Sequence, residues 1–259
     1  RQRQMCIRDR LNRSPRTVIS YAEDLYAFEA YFLDKDEGLT WETIDTDIIR
    51  DWMESMVDKG NSPSSVARRL SAVKGFFKFA LAREFISSDP AHAIRSPKRS
   101  RPLPQFLKEN EINDLLDKQA WGGDFKGLRD RLIIMMLYET GVRLAELVGM
   151  DDKAVNLTGQ FIKVTGKGDK QRVIPFGNEL KSMIENYVEE RNRTVSRKTA
   201  ALLVSETGLR IKPDLVERIV KENLARFCSL KKKSPHVLRH TFATAMLNHG
   251  ACLLYTSPS

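Results

Sequence analysis

Apolar residues recur every three or four positions over most of this chain, the spacing of helices buried along one face. Val18, Tyr21, Leu25, Phe28 and Phe32 predict a first helix opened by Ser14-Pro15. Trp41 falls in a short loop. Asp45 or Thr46 can cap a second helix carrying Ile48, Ile49, Trp52, Met53 and Met56, and Gly60-Asn61 stops it. Ser62-Pro63 sets a cap and a first-turn proline ahead of a long third helix to about Glu84, with Val66, Leu70, Val73, Phe77 and Ala80 on its apolar face. Asp89-Pro90 predicts a short last helix, which would make residues 11 to about 95 a four-helix unit.

The pattern then breaks. Ser96 to Pro104 (SPKRSRPLP) is rich in proline and cations and too poor in apolar residues to pack, so 98–105 reads as an interdomain linker. From Phe106 the helical period resumes. A helix over 109–118 turns Ile112, Leu115 and Leu116 inward. Residues 125–140 are almost wholly apolar at their centre and predict a core helix ended by Gly141. A short helix starts at Arg143. Phe161–Thr165 and Gln171–Phe176 alternate like two strands of a hairpin, joined by Gly166-Lys167-Gly168-Asp169-Lys170. A helix from Asn178 to about Arg191, a third short strand at Leu202–Val204, a helix from Lys212 to about Leu230 and a last helix behind Ser234-Pro235 complete the order. The expected fold is mainly α: a four-helix domain at 11–97, the linker, and an α-rich domain at 106–251 with a small antiparallel sheet. Arg1–Arg10 and Cys252–Ser259 carry no such pattern and read as ends foreign to the fold.

Charge narrows the partners. The 259 residues are 41% hydrophobic and 30% charged, so the chain is globular, and its net charge of +9 suggests a polyanion, nucleic acid before membrane. The longest apolar run, Leu132 to Leu137, is too short to span a bilayer. Met5 is followed by Cys-Ile-Arg-Asp-Arg and not by the apolar core of a secretory signal. The three cysteines show no CxxC spacing, which fits a reducing cytoplasm and neither a disulfide framework nor a zinc site.

Three pieces carry candidate chemistry. His236 and Arg239 lie three apart on the first turn of the last helix, where free backbone N–H groups and the positive end of the helix dipole also favour an anion. Arg143 stands three residues before Glu146, and Lys167 sits in the glycine turn. Singly each is weak: an Arg–Glu pair at this spacing is commonly structural, Gly-Lys-Gly is a common hairpin tip, and a histidine beside a helix start is often only a cap. Two rivals fail on spacing. Gly166-Lys167 is not a phosphate-binding loop, because Gly168 stands where Ser or Thr is required and Gly159 lies too far upstream. His236 and His240 are spaced like zinc-binding histidines, but Val237 occupies the place of the metalloprotease glutamate and no third ligand cluster is evident. No metal and no cofactor is expected.

Together and in this order, ETGVRLAELVGM around Arg143, VTGKGDKQRVIPF around Lys167 and SPHVLRHTFATAMLNHGA around His236 and Arg239 resemble the tyrosine recombinase (phage integrase-like) family, over about Leu11 to Ala251. SPSSVARRLSAVKGFFKFALAREFISSDP and SPKRSRPLP resemble the core-binding, SAM-like domain and linker of Xer-type members. With no arm-binding domain ahead of them, a Xer-like enzyme is favoured over a phage integrase. The resemblance implies a metal-free reaction on double-stranded DNA through a 3′-phosphotyrosyl intermediate. Arg143 and Arg239 would clamp the scissile phosphate, His236 would move a proton beside them, and Lys167 would protonate the 5′-oxygen leaving group. Glu146 would orient Arg143, and His240 would support the site by packing or hydrogen bonding. A fixed donor at such a position is worth roughly 3–4 kcal/mol. Arg68, Arg69, Lys74, Lys78, Lys98 and Arg99 are expected on the DNA backbone.

In the family a second histidine or tryptophan and the nucleophilic tyrosine follow the stretch that ends here at Ala251. Tyr255 comes too soon after it, so no nucleophile is expected in this chain. The implied function is site-specific DNA recombination, in a Xer-like role resolving chromosome dimers for chromosome partition at cell division. The full-length protein would act as a homo- or hetero-tetramer on DNA, and this shorter chain would bind DNA without cleaving it. The alternatives are an integrase or transposase of a mobile element, concerned with DNA integration, and a non-catalytic DNA-binding regulator of the same fold.

Overall fold

The structure is a computed structural model that describes residues 15–98, 105–117, 121–166 and 170–248. The expected foreign ends, Arg99 and Lys167 lie outside the described residues. The chain divides into two compact units between Pro102 and Leu103, each with its own apolar core.

Three α-helices make the first unit among its described residues: α1 (Pro15–Lys35), α2 (Thr46–Asp58) and α3 (Pro63–Ala82). Asp45 caps α2 by accepting from the backbone N–H groups of Asp47 and Ile48 at 3.0 and 2.9 Å, and Ser62 caps α3 through the Ser65 N–H. Leu25, Phe28 and Phe32 from α1 bury against Ile49, Trp52 and Met56 from α2 and Val66, Leu70, Val73 and Phe77 from α3. Trp41 in the α1–α2 loop meets Phe28 and Phe32 edge-on and donates its indole N–H to Glu29. The short last helix expected at Asp89-Pro90 does not form. The Asp89 carboxylate accepts from the Ala91 N–H, and residues 90–93 make hydrogen-bonded turns. Thr46 and Lys74 hold the Pro90 and Ile94 carbonyls, so this stretch plugs Ala91 and Ile94 into the core without the cost of nucleating a helix.

The second unit is built on α5 (Phe125–Glu139), whose Leu132–Leu137 centre is buried on every side. Packed around it are α4 (Glu109–Leu116), α7 (Asn178–Thr194), α8 (Pro213–Phe227) and α9 (Pro235–Asn248). Between α5 and α7 come the short α6 (Leu144–Gly149), one 3-10 turn, and an antiparallel sheet in the order β1 (Val155–Asn156), β2 (Phe161–Thr165), β3 (Gln171–Pro175). In its register Ile162 faces Ile174 and Val164 faces Arg172. The strand expected at Leu202–Val204 reduces to isolated bridges, Asp151 with Ala201 and Val204 with Arg210. The segment is fully buried, but its N–H groups go to scattered acceptors: Leu202 to the Met150 carbonyl, Val204 to the Tyr187 hydroxyl. Among the described residues no neighbouring strand offers it a ladder.

Candidate active site

Gly141 positions the site. It follows α5 at φ +56, a conformation side chains resist, and a Cβ there would come within 2.4 Å of the Phe242 ring on α9. The turn therefore reverses the chain tightly against α9 and delivers Arg143 as the N-cap of α6. Arg143 donates its backbone N–H to Glu146 Oε2 at 2.8 Å and a guanidinium N–H to Oε1 at 2.9 Å. Its side chain stays 52% exposed while that of Glu146 is only 5% exposed.

Glu146 has a second partner. Arg172, on β3, donates Nη1 to Oε1 at 2.9 Å and Nη2 to Oε2 at 2.8 Å. Burial alone would raise the Glu146 pKa, but the hydrogen bonds from Arg172 and from Arg143 outweigh it and hold the carboxyl at about 2. The same pairing raises the pKa of Arg172. Arg239 is half-buried on the first turns of α9, and burial, then the positive charge of Arg143, lowers its pKa; Glu146 acts against that and Arg172 with it. Arg143, Glu146, Arg172 and Arg239 thus share one electrostatic neighbourhood. Two guanidiniums bond one carboxylate and a third, that of Arg239, lies within reach of its charge, a surplus of two positive charges.

The hairpin root reaches the same place. A Cβ on Gly166 would lie 3.5 Å from both Arg172 Nη1 and Glu146 Oε1, and the Gly166 N–H closes the turn on the Lys170 carbonyl at 2.8 Å. Lys167 follows directly in the chain and lies outside the described residues. On α9, Val237, Leu238 and Thr241 point into the core, which leaves His236 and His240 exposed and Arg239 between them and the core. His240, expected to pack or hydrogen-bond, is exposed one turn after His236.

The six expected DNA contacts divide. Arg68 forks onto Asp24 and bonds Ser20 Oγ at 2.8 Å, because the Asp24 carboxylate is buried on α1 and needs donors. Arg69 lies 3.8 Å from the same carboxylate and contacts Met56 Sδ, and Lys74 holds the Ile94 carbonyl. These three therefore spend donors inside the helical unit. Lys78 and Lys98 are exposed.

Arg172 escaped sequence reasoning. Its signal was present: it stands in phase with Ile174, on the inward face of β3, opposite buried Val164. Gln-Arg-Val-Ile-Pro puts two apolar residues side by side, which hides that phase; Val173 is the one that faces out, at 57% exposure. Among the described residues no group of three or more His, Cys, Asp or Glu side chains is arranged to hold a metal ion, and no helix is long and apolar enough to cross a membrane.

Residues 105–253 match the phage integrase family and residues 7–84 match the phage integrase N-terminal SAM-like domain. The chain belongs to the phage integrase family, the tyrosine recombinases of site-specific DNA recombination. Within it the similarity runs to Xer recombinases. Tyrosine recombinase XerC of Chlorobaculum tepidum is 34% identical over 268 residues, covering 93% of this chain and 80% of that protein. Tyrosine recombinase XerD of Oceanobacillus iheyensis is 31% identical over 243 residues, covering 93% and 81%. In fold, the XerH site-specific recombinase bound to a palindromic difH substrate superposes with a TM-score of 0.77 at 22% identity, covering 92% of this chain and 70% of that one. A transposon integrase (Tn1549) in complex with transposon right end DNA gives 0.77 at 20% identity, covering 98% and 88%.

Proposed function

We propose that this chain binds double-stranded DNA through its two units and holds one scissile phosphate at Arg143 and Arg239, the binding half of the chemistry by which a Xer-like protein resolves chromosome dimers in the cytoplasm. The observation that carries it is the surplus of guanidinium charge at one place, with the exposed Arg143 side chain anchored at one end to Glu146. In-line attack on a phosphodiester gathers negative charge on two non-bridging oxygens. Fixed guanidiniums stabilise that charge with paired donors and need no metal. His236, exposed three residues before Arg239 on α9, gives or takes a proton beside this clamp. Where a tyrosine nucleophile is supplied, its oxygen bonds to phosphorus and its proton passes to His236, while Lys167, carried by the hairpin whose root rests on Glu146 and Arg172, gives its proton to the 5′-oxygen as the bond from that oxygen to phosphorus breaks. Four copies, identical or of two kinds, would assemble on DNA.

For this chain we propose binding without cleavage. Of the tyrosines described in the second unit, Tyr187 is fully buried with its hydroxyl accepting from the Val204 N–H. Burial raises the pKa of both Tyr187 and Tyr138, which makes the phenolate of each harder to form. The test is a labelled duplex carrying a Xer-type site, offered to the chain and to its Arg143→Ala and Arg239→Ala variants. Expected are steeply salt-dependent binding, a loss of roughly tenfold or more in each variant, and no covalent protein–DNA adduct. Unchanged affinity in both variants refutes the phosphate clamp. An adduct that survives denaturation refutes the second part.

A further inference from the structure

Glu146 is loaded beyond what orienting Arg143 requires. A carboxylate has about four acceptor positions, and here four donors use them: the Arg143 N–H, Arg143 Nη1, Arg172 Nη1 and Arg172 Nη2. Arg172 takes both oxygens in the two-pronged geometry, whereas Arg143 commits only one guanidinium nitrogen. Arg172 is also the less exposed of the two arginines, 37% against 52%. It reaches Glu146 from a different element, so one carboxylate joins α6 to the hairpin.

We infer that Arg172 is a positioning residue: it occupies the Glu146 carboxylate so that Arg143 keeps its remaining donors and its charge for the DNA phosphate. This rests on Arg143 contacting phosphate as proposed above. The charge count gives the reason. With Arg172 present, Glu146 is neutralised from the hairpin side and Arg143 retains a full positive charge toward solvent. With Arg172 gone, Arg143 is the one hydrogen-bond partner left to a nearly buried carboxylate among the described residues. The two would then close into a neutral bidentate pair, since a buried unpaired carboxylate is costly. Arg143 would remain in place, withdrawn from DNA by its own orienting partner. Arg172 acts through Glu146 and Arg143 and touches no reacting atom itself.

A purely architectural Arg172, pinning the hairpin, makes a different forecast, and removal of the carboxylate separates the two. Affinity for the labelled duplex is measured by fluorescence anisotropy over a salt series for the full chain, Arg172→Met, Glu146→Gln, the double variant R172M/E146Q, and Arg143→Ala in the native and R172M backgrounds. Arg172→Met should bind roughly tenfold more weakly, with a salt slope lower by about one, the signature of one lost phosphate contact. Arg143→Ala should cost far less in the R172M background than alone, because Arg143 has already been withdrawn. R172M/E146Q should recover most of the affinity lost in R172M, since Arg143 is released. Arg172→Lys, which keeps the charge but loses the fork, should fall between the native chain and R172M and be rescued by Glu146→Gln in the same way. It serves as the test if R172M fails to fold. The inference is overturned if E146Q gives no rescue in either background, or if Arg143→Ala costs the same with and without Arg172. If Arg143→Ala has no effect in the native chain, the phosphate contact itself is wrong and the inference goes with it, a pattern distinct from the other two.

Discussion

Replacing Gly141 by alanine strains the fold at one defined point and should move the site with it. Two costs add. At φ +56 a residue with a Cβ is less favourable than glycine by about 1–2 kcal/mol. The new methyl would also sit 2.4 Å from Phe242 Cδ1 and 2.7 Å from Cε1, so either the ring or the α5–α6 turn must move; overpacking of this kind costs about 1–3 kcal/mol. A total near 3 kcal/mol in a unit of this size lowers the melting temperature by roughly 6–12 °C. Differential scanning calorimetry of the full chain reads this directly, and DNA affinity read in parallel should fall, because the strained turn lies two residues from Arg143 and the displaced ring three residues from Arg239. Phe242→Leu in the Gly141→Ala background separates the terms: it relieves the contact and leaves the backbone cost. The double variant should therefore be more stable than the sum of the single changes by about 1 kcal/mol or more. A Gly141→Ala protein that melts within a degree of the parent would mean that α9 does not press on the turn, and the placing of Arg143 beside Arg239 would lose its mechanical basis.

Two further outcomes follow from single groups. Thr241 Oγ1 accepts the buried Leu107 N–H at 3.0 Å and donates to the Val237 carbonyl, so Thr241→Val keeps the shape but orphans a buried donor. About 1–3 kcal/mol should be lost and the Leu107 amide should exchange faster with deuterium. The two carboxyls flanking the α5–α6 turn should also respond to pH in opposite directions. Glu146 is held down to about 2 from an ordinary 4.5, so its contribution is full above 4.5 and is lost as pH falls toward 2; Glu146→Gln should flatten that part of the acid limb. Burial raises the pKa of Glu139, whose Oε2 has no partner, so its folded form favours the proton and its contribution is lost as pH rises. Glu139→Gln, which can still accept the Gly177 N–H, should stabilise the protein at neutral pH and lose that advantage in acid, and a gain that does not depend on pH would contradict this.

What could be read from the chain depended on how local its cause was. The three N-terminal helices followed from caps and spacing, because Asp45, Ser62-Pro63 and Gly60 act on their own neighbours. Asp89-Pro90 misled for the same reason: the local signal is a good helix start, but the Asp89 carboxylate spends itself on a tight turn that contacts from Thr46 and Lys74 hold. Gly141 was legible as a stop and not as a point of close approach, since Phe242 meets it only after the whole unit has wrapped around α5. Arg68 and Lys74 looked like cations on a helix and proved to serve a buried carboxylate on α1 and a turn carbonyl, partners that no window of the sequence contains.

The same limit explains the shape of the site. Arg143 and Glu146 are three apart, so their pairing could be anticipated from spacing, while the roles expected of Arg143 and Arg239 came from the family resemblance. The charge balance could not, because it is set by an arginine on a strand that joins them only through the sheet register. An Arg–Glu pair taken alone is neutral and would hold no phosphate. What gives it a net positive charge is the second arginine arriving from β3, and behind it the field of a third from α9. The surplus of positive charge is thus a property of two elements meeting at one carboxylate with a third close enough to feel its charge. Moving β3 by one residue in register would turn Arg172 to the outer face and leave the pair closed on itself.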